Sequence, residues 1–416
     1  MQQSLGMSEI KKINRRNILF GLIRARGHAS KYDLQKDSRF SMSTVISTID
    51  ELLADGYIMQ AGIGKSTGGR RPVYYSPVPA GGYFIGLEFN AEGIHAALLN
   101  LRGEAVRVYS EAITAESADI SAIIERLVQI AQFLAGTLGP SRERLMGIGV
   151  GAPGLVDRTR GEIVYYAHLP GCRDVPVCAP FAAAFSVPVY IDNNINAMAY
   201  AYKSLPGRGN LSSFALISIR SGIGMSCVLA NQLYRGATGA AGEIGHLRVY
   251  PSDAVCSCGR VGCLDAEASN RAVLRKINAA LATAYAYLTE LTDQPLTACD
   301  LPLFVDSVKA GYPQSLALLD EVCAHLASVI TEVVNILNPQ RIILSGELTG
   351  CGEAMLSRIR KRVLRDSLPS NTQELEFTLS QEGPELGALG AAALALAAAF
   401  EPIDVAEMAL VNTAES

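Results

Sequence analysis

Residues 246–263 hold one histidine and three cysteines: His246, Cys256, Cys258 and Cys263. The cysteines form a C-x-C-x4-C pattern, and the histidine lies ten residues before the first of them. Gly259 and Gly262 ease the turns between them. Four donors at this spacing fit a closed tetrahedral Cys3His site. Zn2+ is the metal that suits them, since thiolates and an imidazole favour it and no redox pair is implied. With every coordination position taken by protein, the expected site is structural; the competing reading is three free thiols. A second stretch, residues 190–197, reads YIDNNINA and follows the apolar run VPVYI. A strand end is where an α/β sheet offers side chains to a ligand. Asp192 there could act as a general base, but Asn193 and Asn194 could not, because an amide does not take a proton near neutral pH.

These residues need elements to position them. From Tyr83 the chain reads as three strands, joined near 90–93 and 102–103, then a helix over about 118–138. RLMGIGVGAPGLVD is a strand running into a Gly/Pro loop, and VPVYIDNN is another strand. A second set starts at FALISIRSGIGMSCVLANQLYRG, continues as helices over much of 269–337 with breaks near 293–301 and 311–314, and reaches the late strand RIILSGELTG. A β-β-β-α-β pattern that occurs twice implies two similar α/β lobes with a cleft between them. Such a cleft is a natural small-molecule site.

The first 77 residues read differently. Apolar residues at Ile10, Ile13, Ile18, Leu19, Leu22 and Ile23 mark a helix closed by Gly27. SKYDLQKDS is a short second helix, with Ser30 as N-cap and Asp33 at N3. SMSTVISTIDELLADG is a third, capped by Ser41 or Ser43, with Val45, Ile49, Leu52 and Leu53 as its buried stripe. This is the helix-turn-helix order. Ser41, Ser43, Thr44 and Ser47 at the start of the third helix are short polar groups suited to the major groove. Strand-like runs at 57–61 and 73–75 flank a glycine-rich loop with Lys65, Arg70 and Arg71, a β-wing able to reach phosphates or a minor groove. A protein-interaction module with a basic hairpin is the alternative. Residues 78–82, VPAGG, read as a linker.

Composition agrees with this division. The 416 residues carry a net charge of −4, split between about +6 in residues 1–76 and about −10 in the rest. A basic end on an acidic body points to nucleic acid. Hydrophobic residues make up 49%, enough for a large core. No apolar run of about 18 residues lacks charge, and the start does not resemble a signal peptide, so a cytoplasmic protein without membrane insertion is expected. The Ala-rich LGALGAAALALAAAF reads as a buried helix. Nine cysteines, six of them scattered, do not form a disulfide framework.

The runs Gly-Glu-Ile-Gly-His (242–246), Cys-x-Cys-Gly-x-x-Gly-Cys (256–263), Gly-Ala-Pro-Gly (151–154) and Gly-Ala-Leu-Gly-Ala-Ala (387–392) resemble the ROK family, named for repressors, open reading frames and kinases. The resemblance spans 83–400 as the family body and 8–76 as the winged helix of its repressor branch. It implies a winged helix-turn-helix on a two-lobed, actin- and hexokinase-like (ribonuclease H-like) α/β ATPase fold, with the Cys3His zinc. The implied organisation is a DNA-binding domain over 1–77, a first lobe over 83–197 plus about 385–400, and a second lobe with the zinc motif over 198–384. The family's sugar kinases place the catalytic Asp third in a stretch like Asp-Asn-Asp-Ala-Asn. That place is Asn194 here, and Asp192 falls on the first place, which is not the base. The first phosphate loop, like Asp-x-Gly-Gly-Thr, corresponds to Glu88-Phe89-Asn90-Ala91-Glu92, with both glycines gone. The second, like Gly-Thr-Gly, corresponds to Arg220-Ser221-Gly222. By resemblance Asn193, Glu243 and His246 hold sugar hydroxyls, with His246 touching metal and sugar together. Asp265 stands where the family usually has Glu, and His168 where Asn is common.

The reading is therefore a transcriptional regulator of carbohydrate metabolism, a repressor, whose kinase-like body no longer catalyses. A homodimer or homotetramer binds operator DNA, and a sugar or sugar phosphate binds at Asn193, Asn194, Glu243, His246 and Asp265. Two alternatives stay open: an ATP-dependent sugar kinase with a fused DNA-binding domain, and a repressor governed by a sugar-transport protein.

Overall fold

A computed structural model describes residues 6–63, 71–90, 93–113, 119–167, 169, 171–207, 211–292, 296–381 and 383–403. Helix α1 (Met7–Arg26) ends at Gly27, whose φ of +75° suits glycine. After the two-residue strand β1 (Ala29–Ser30), α2 (Lys31–Ser38) opens with the expected capping box: Asp33 N–H donates to Ser30 Oγ, and Ser30 N–H donates to the Asp33 carboxylate. Helix α3 (Met42–Ala54) is capped by Ser41, whose Oγ accepts from Thr44 N–H. Val45, Ile49 and Leu52 are buried as expected; Thr48 completes the stripe, while Leu53 is only half-buried. Strands β2 (Ile58–Ile63) and β3 (Val73–Pro77) pair antiparallel and give the sheet order β1-β3-β2, the hairpin of a winged helix. The wing residues Lys65 and Arg70 lie outside the described residues, and Arg71 is exposed just before β3.

The stretch read as a linker is packed instead. Pro79–Gly81 form a 3-10 turn, and Gly81 and Gly82 are buried. A Cβ on Gly81 would stand 2.7 Å from the Gly56 carbonyl oxygen, and one on Gly82 would stand 2.3 Å from Met146 Sδ. These glycines permit close approach between the first module and the body, where composition alone suggested flexibility. Phe20 of α1 stacks on Phe400 with ring centroids 4.0 Å apart, and Tyr57 meets the same ring edge-on. Asn14 exchanges hydrogen bonds with the backbone of Ile403. Leu19, Phe20 and Ile23 thus share one apolar cluster with Phe84, Ala392 and Leu396 of the body.

The body opens with antiparallel β4 (Tyr83–Phe89), β5 (Gly93–Asn100) and β6 (Ala105–Ala112), then α4 (Ile120–Gly136) and β7 (Leu145–Ala152). A small sheet of β8 (Leu155–Asp157), β9 (Glu162–Tyr165) and β10 (Arg173–Pro176) follows, with α5 (Cys178–Ala184). Strand β11 (Val189–Asn193) runs parallel to β7 and leads into α6 (Asn194–Ser204). The first large sheet has the order β11-β7-β4-β5-β6.

The second set repeats the pattern. It holds β12 (Phe214–Ile219), β13 (Ile223–Leu229), β14 (Gln232–Tyr234), α7 (Leu264–Ala268), α8 (Asn270–Ala279), α9 (Leu301–Lys309) and α10 (Pro313–Leu337). Then come β15 (Arg341–Ser345), α11 (Glu353–Asp366), α12 (Pro369–Thr372) and β16 (Glu376–Leu379), after which α13 (Leu386–Ala399) returns to pack on the first sheet. The second sheet, β16-β15-β12-β13-β14, has the same strand order as the first. Helix α8 stops at Ala279, earlier than the sequence suggested, and the 3-10 turn Ala286–Leu291 that follows buries Leu288 and stacks Tyr287 on Tyr312 at 4.4 Å. Helix α13 is apolar around most of its surface because it is buried, not because it spans a membrane; no helix among the described residues is long and apolar enough to cross one. A Cβ on Gly149 would stand 1.9 Å from the Ala391 oxygen, and one on Gly390 would stand 1.7 Å from the Ala197 oxygen. Only glycine lets α13 press this closely on β7 and α6.

Candidate functional site

Strands β7 and β11 end side by side, with Ala152 opposite Asn193. The next residues, at the start of α6, face the loops of the second sheet across a cavity of about 220 Å3. Asn193, Asn194, Glu243, His246 and Asp265 all line it, together with Arg220. Its volume lies below the about 300–1,000 Å3 of drug-sized pockets, so it suits a small ligand.

Each side chain has a distinct task. Asn193 caps α6 by accepting from Ile195 N–H at 2.8 Å, and its amide donates to the Gly154 carbonyl at 2.9 Å. Asp265 accepts from Ile223 N–H at 2.7 Å, so its shorter side chain ties α7 to β13 at the cavity wall. Glu243 is open to the cleft, yet the crowding of the cleft walls raises its carboxyl above the usual range. His246 offsets this in part, and Asp265 adds to it.

Asp192 does not face this cavity. Its carboxylate accepts from Asn193 N–H and Asn196 Nδ2 on one oxygen, and from Arg235 at 2.7 and 2.8 Å on the other. Arg158 stands 3.5 Å away. With both oxygens engaged in this way, Asp192 acts as a structural anchor that ties α6 to Arg235. Asn194 is also engaged: its amide donates to Glu88 Oε1 at 3.2 Å. Glu88 is fully buried, and Arg220 pairs with it at 2.8 Å. Glu88 sits on β4 in the first sheet and Arg220 follows β12 in the second, so the pair joins the lobes across the cleft floor. The sequence marked Arg220 as a replaced glycine but gave no sign of its partner 132 residues away. Ala91, Glu92 and His168 lie outside the described residues.

Beside this cavity the four donor atoms of His246, Cys256, Cys258 and Cys263 lie within 4.8 Å of one another. Cys256 Sγ is 3.7 Å from His246 Nδ1, and Cys258 Sγ is 3.7 Å from Cys263 Sγ. A tetrahedron with metal–sulfur bonds of about 2.3 Å has edges of about 3.8 Å, so these spacings match a Cys3His metal centre. Burial opposes ionisation of Cys258, but hydrogen bonds from Arg260 and the neighbouring cysteines outweigh it and bring the thiol down to about 6. With Nδ1 turned to the sulfurs, His246 leaves Nε2 for the cavity. A second cluster, Glu267, Glu321 and His325, is already neutralised: Lys276 Nζ lies 2.6 Å from each carboxylate.

On α3, Ser43 and Ser47 are exposed and Thr44 is half-buried. The Ser41 hydroxyl is used in the cap and touches those of Ser43 and Thr44; Ser47 donates to the Thr44 carbonyl. Ile46, 39% exposed on the same turn, went unnoticed in the sequence because an isoleucine in a helix reads as core.

The ROK family model matches residues 84–398. A xylose repressor of Caldicellulosiruptor bescii is 29% identical over 93% of this chain and 96% of its own. A glucokinase of Halalkalibacterium halodurans is 28% identical over 74% of this chain and 93% of its own, leaving about a quarter of this chain without a counterpart. The crystal structure of a ROK family transcriptional regulator, a homologue of the Escherichia coli MLC protein, aligns with a TM-score of 0.77 at 23% identity over 94% of this chain and 97% of that one. A family model matching most of the chain, on a shared fold, shows that the chain belongs to the ROK family.

Proposed function

We propose that this protein is a sugar-responsive transcriptional repressor with a catalytically silent body. The observation that carries this reading is the cleft. It gathers groups suited to sugar hydroxyls, while an asparagine committed to Glu88 stands where the family's kinases keep their base. Arg220, held by Glu88, fills the place of a phosphate-loop glycine. The repressor relative matches along nearly the whole chain, including the helix-turn-helix end, which also favours DNA binding over catalysis.

In this reading α3 enters the major groove, with Ser43, Thr44 and Ser47 offering hydrogen bonds and Ile46 an apolar face for a thymine methyl. Ser41 serves mainly as the helix cap. Lys65, Arg70 and Arg71 of the wing contact the backbone or the minor groove. A homodimer or homotetramer presents two such modules to a two-fold operator. Zn2+ at His246, Cys256, Cys258 and Cys263 staples the loop and fixes the imidazole beside the sugar. The protein works in the cytoplasm. The sugar binds Asn193, Asn194, Glu243, His246 and Asp265 and favours one lobe arrangement over the other. Because the first module and the body share one apolar core, such a change reaches the DNA-binding helices without crossing a flexible tether.

The test incubates the full chain with fragmented genomic DNA from its source and sequences what is retained, with and without free and phosphorylated sugars. Palindromic sites released by one sugar support the reading. Retention that ignores every sugar removes the sensing half and points to a protein partner, and ATP-dependent phosphorylation of a sugar overturns the silent body.

A further inference from the structure

A second cavity, of about 1,120 Å3, lies where the N-terminal module meets the body. One wall is the end of α1 and the base of the wing; the other is the end of α6 and the β5–β6 turn. Cations dominate its lining. Arg24, Arg26, His28, Arg102 and Lys203 face it, against the single carboxylate Glu104.

Most of these are committed. Arg26 pairs with Asp37, and Arg102 Nε donates to the Pro77 carbonyl at 3.0 Å. Glu104 accepts from the Asn100 amide at 2.8 Å. His28 packs edge-on against Tyr74, with ring centroids 5.0 Å apart. None of the ion pairs among the described residues includes Arg24 or Lys203. Lys203 instead rests over the Tyr200 ring, 5.2 Å from its centre. Burial lowers the pKa of both cations, and Lys203 is lowered further by repulsion from Arg235 and Arg24. Glu401, on the adjoining cavity, offsets this for Lys203 only in part. Two half-buried cations that repel one another, with Glu401 only a partial counter-charge, carry an electrostatic cost that a bound anion lowers. A guanidinium and an ammonium lining one cavity are suited to phosphate oxygens. The volume exceeds a bare phosphate, and the lining includes Tyr74 and Tyr200 as apolar surface for an organic remainder.

We propose that this cavity binds a phosphorylated small molecule between Arg24 and Lys203, as an effector site separate from the sugar cleft. The ligand joins α1 of the DNA-binding module to α6 of the body. Helix α6 has 11 residues, about 16 Å, and its other end is the Asn193–Asn194 corner of the sugar cavity. Ligands at both ends therefore act on one rigid element, which couples them energetically.

The test uses the full chain without DNA or sugar. Inorganic phosphate and pyrophosphate are titrated calorimetrically, with sodium chloride at matched ionic strength as the control, and melting is followed in parallel. Saturable binding and a rise in Tm are expected. Lys203→Gln and Arg24→Gln should each weaken binding at least tenfold, while Glu243→Gln in the sugar cleft leaves it intact. If Arg24→Gln fails to fold, Lys203→Gln alone decides. Two outcomes overturn the proposal: no saturable heat up to about 10 mM anion, or equal binding by Lys203→Gln and the unaltered chain. Failure here leaves the sugar reading standing, since that is tested in the other cleft.

Discussion

Replacing Arg220 by methionine should destabilise the protein by about 3 kcal/mol, the lower end of the about 3–5 kcal/mol typical of breaking a buried pair from one side. The attraction in the Glu88–Arg220 pair at 2.8 Å is about 6 kcal/mol at an effective dielectric near 20, before desolvation offsets much of it. Glu88 is fully buried, and one of its oxygens, Oε2, has no hydrogen-bond partner among the described residues. Without Arg220 the partners left to the carboxylate among the described residues are the amides of Asn194 and Asn90, at 3.2 and 3.4 Å. Glu88→Gln should cost less, about 1–2 kcal/mol, because the Arg220 side chain is 11% exposed and can reach water. The double variant, with no buried charge left over, should lie within about 1 kcal/mol of the unaltered protein. Equilibrium urea denaturation of the four proteins closes the cycle. An Arg220→Met cost below about 1 kcal/mol, or two costs that simply add in the double variant, would refute the inter-lobe pair.

Four further outcomes are expected. Asn194→Asp puts a second carboxylate 3.2 Å from Glu88 Oε1, so it should lower Tm and still give no ATP turnover; a coupled ADP assay above background would contradict this. Cys258→Ser should lose the bound metal, read by elemental analysis as one equivalent of zinc in the unaltered chain, and lower Tm; unchanged metal content would exclude Cys258 as a ligand. Phe400→Ala removes the ring stacked on Phe20 and should cost about 2 kcal/mol, less than the about 3–5 kcal/mol of a fully buried Phe because Phe400 is half-buried. It should also weaken the sugar response of DNA binding more than sugar binding itself, which anisotropy and calorimetry would separate. Finally, the Glu243 carboxyl is held above 4.5, so the folded chain binds this proton more tightly than the unfolded chain. Its contribution to stability is thus present at low pH and lost as pH rises through the raised value. A hydroxyl donating to the carboxylate has the opposite dependence, so sugar affinity should fall as pH drops through that window. A flat profile there would remove Glu243 from the sugar contacts.

Features encoded by near neighbours were legible before any fold was known. The Ser30 cap with Asp33 at N3, a serine cap at 41 or 43, the C-x-C-x4-C spacing and the repeated strand pattern depend on residues a few positions apart, and local geometry fixes what such residues can do. The identity of residue 194 was equally plain, because an amide has no basic carboxylate whatever surrounds it. Features that need two distant segments were not legible. Nothing near Arg220 announces Glu88, nothing near Phe20 announces Phe400, and the glycines at 81 and 82 read as part of a linker until the Gly56 carbonyl and Met146 are seen against them. Arg24 and Lys203 likewise look like ordinary surface cations on two separate helices, and only the docking of the first module on the body turns them into one basic cavity. The sequence by itself determined which chemical groups were available and how each helix begins; the tertiary structure decided which of them meet, because burial and charge pairing are set by packing between segments rather than by order along the chain.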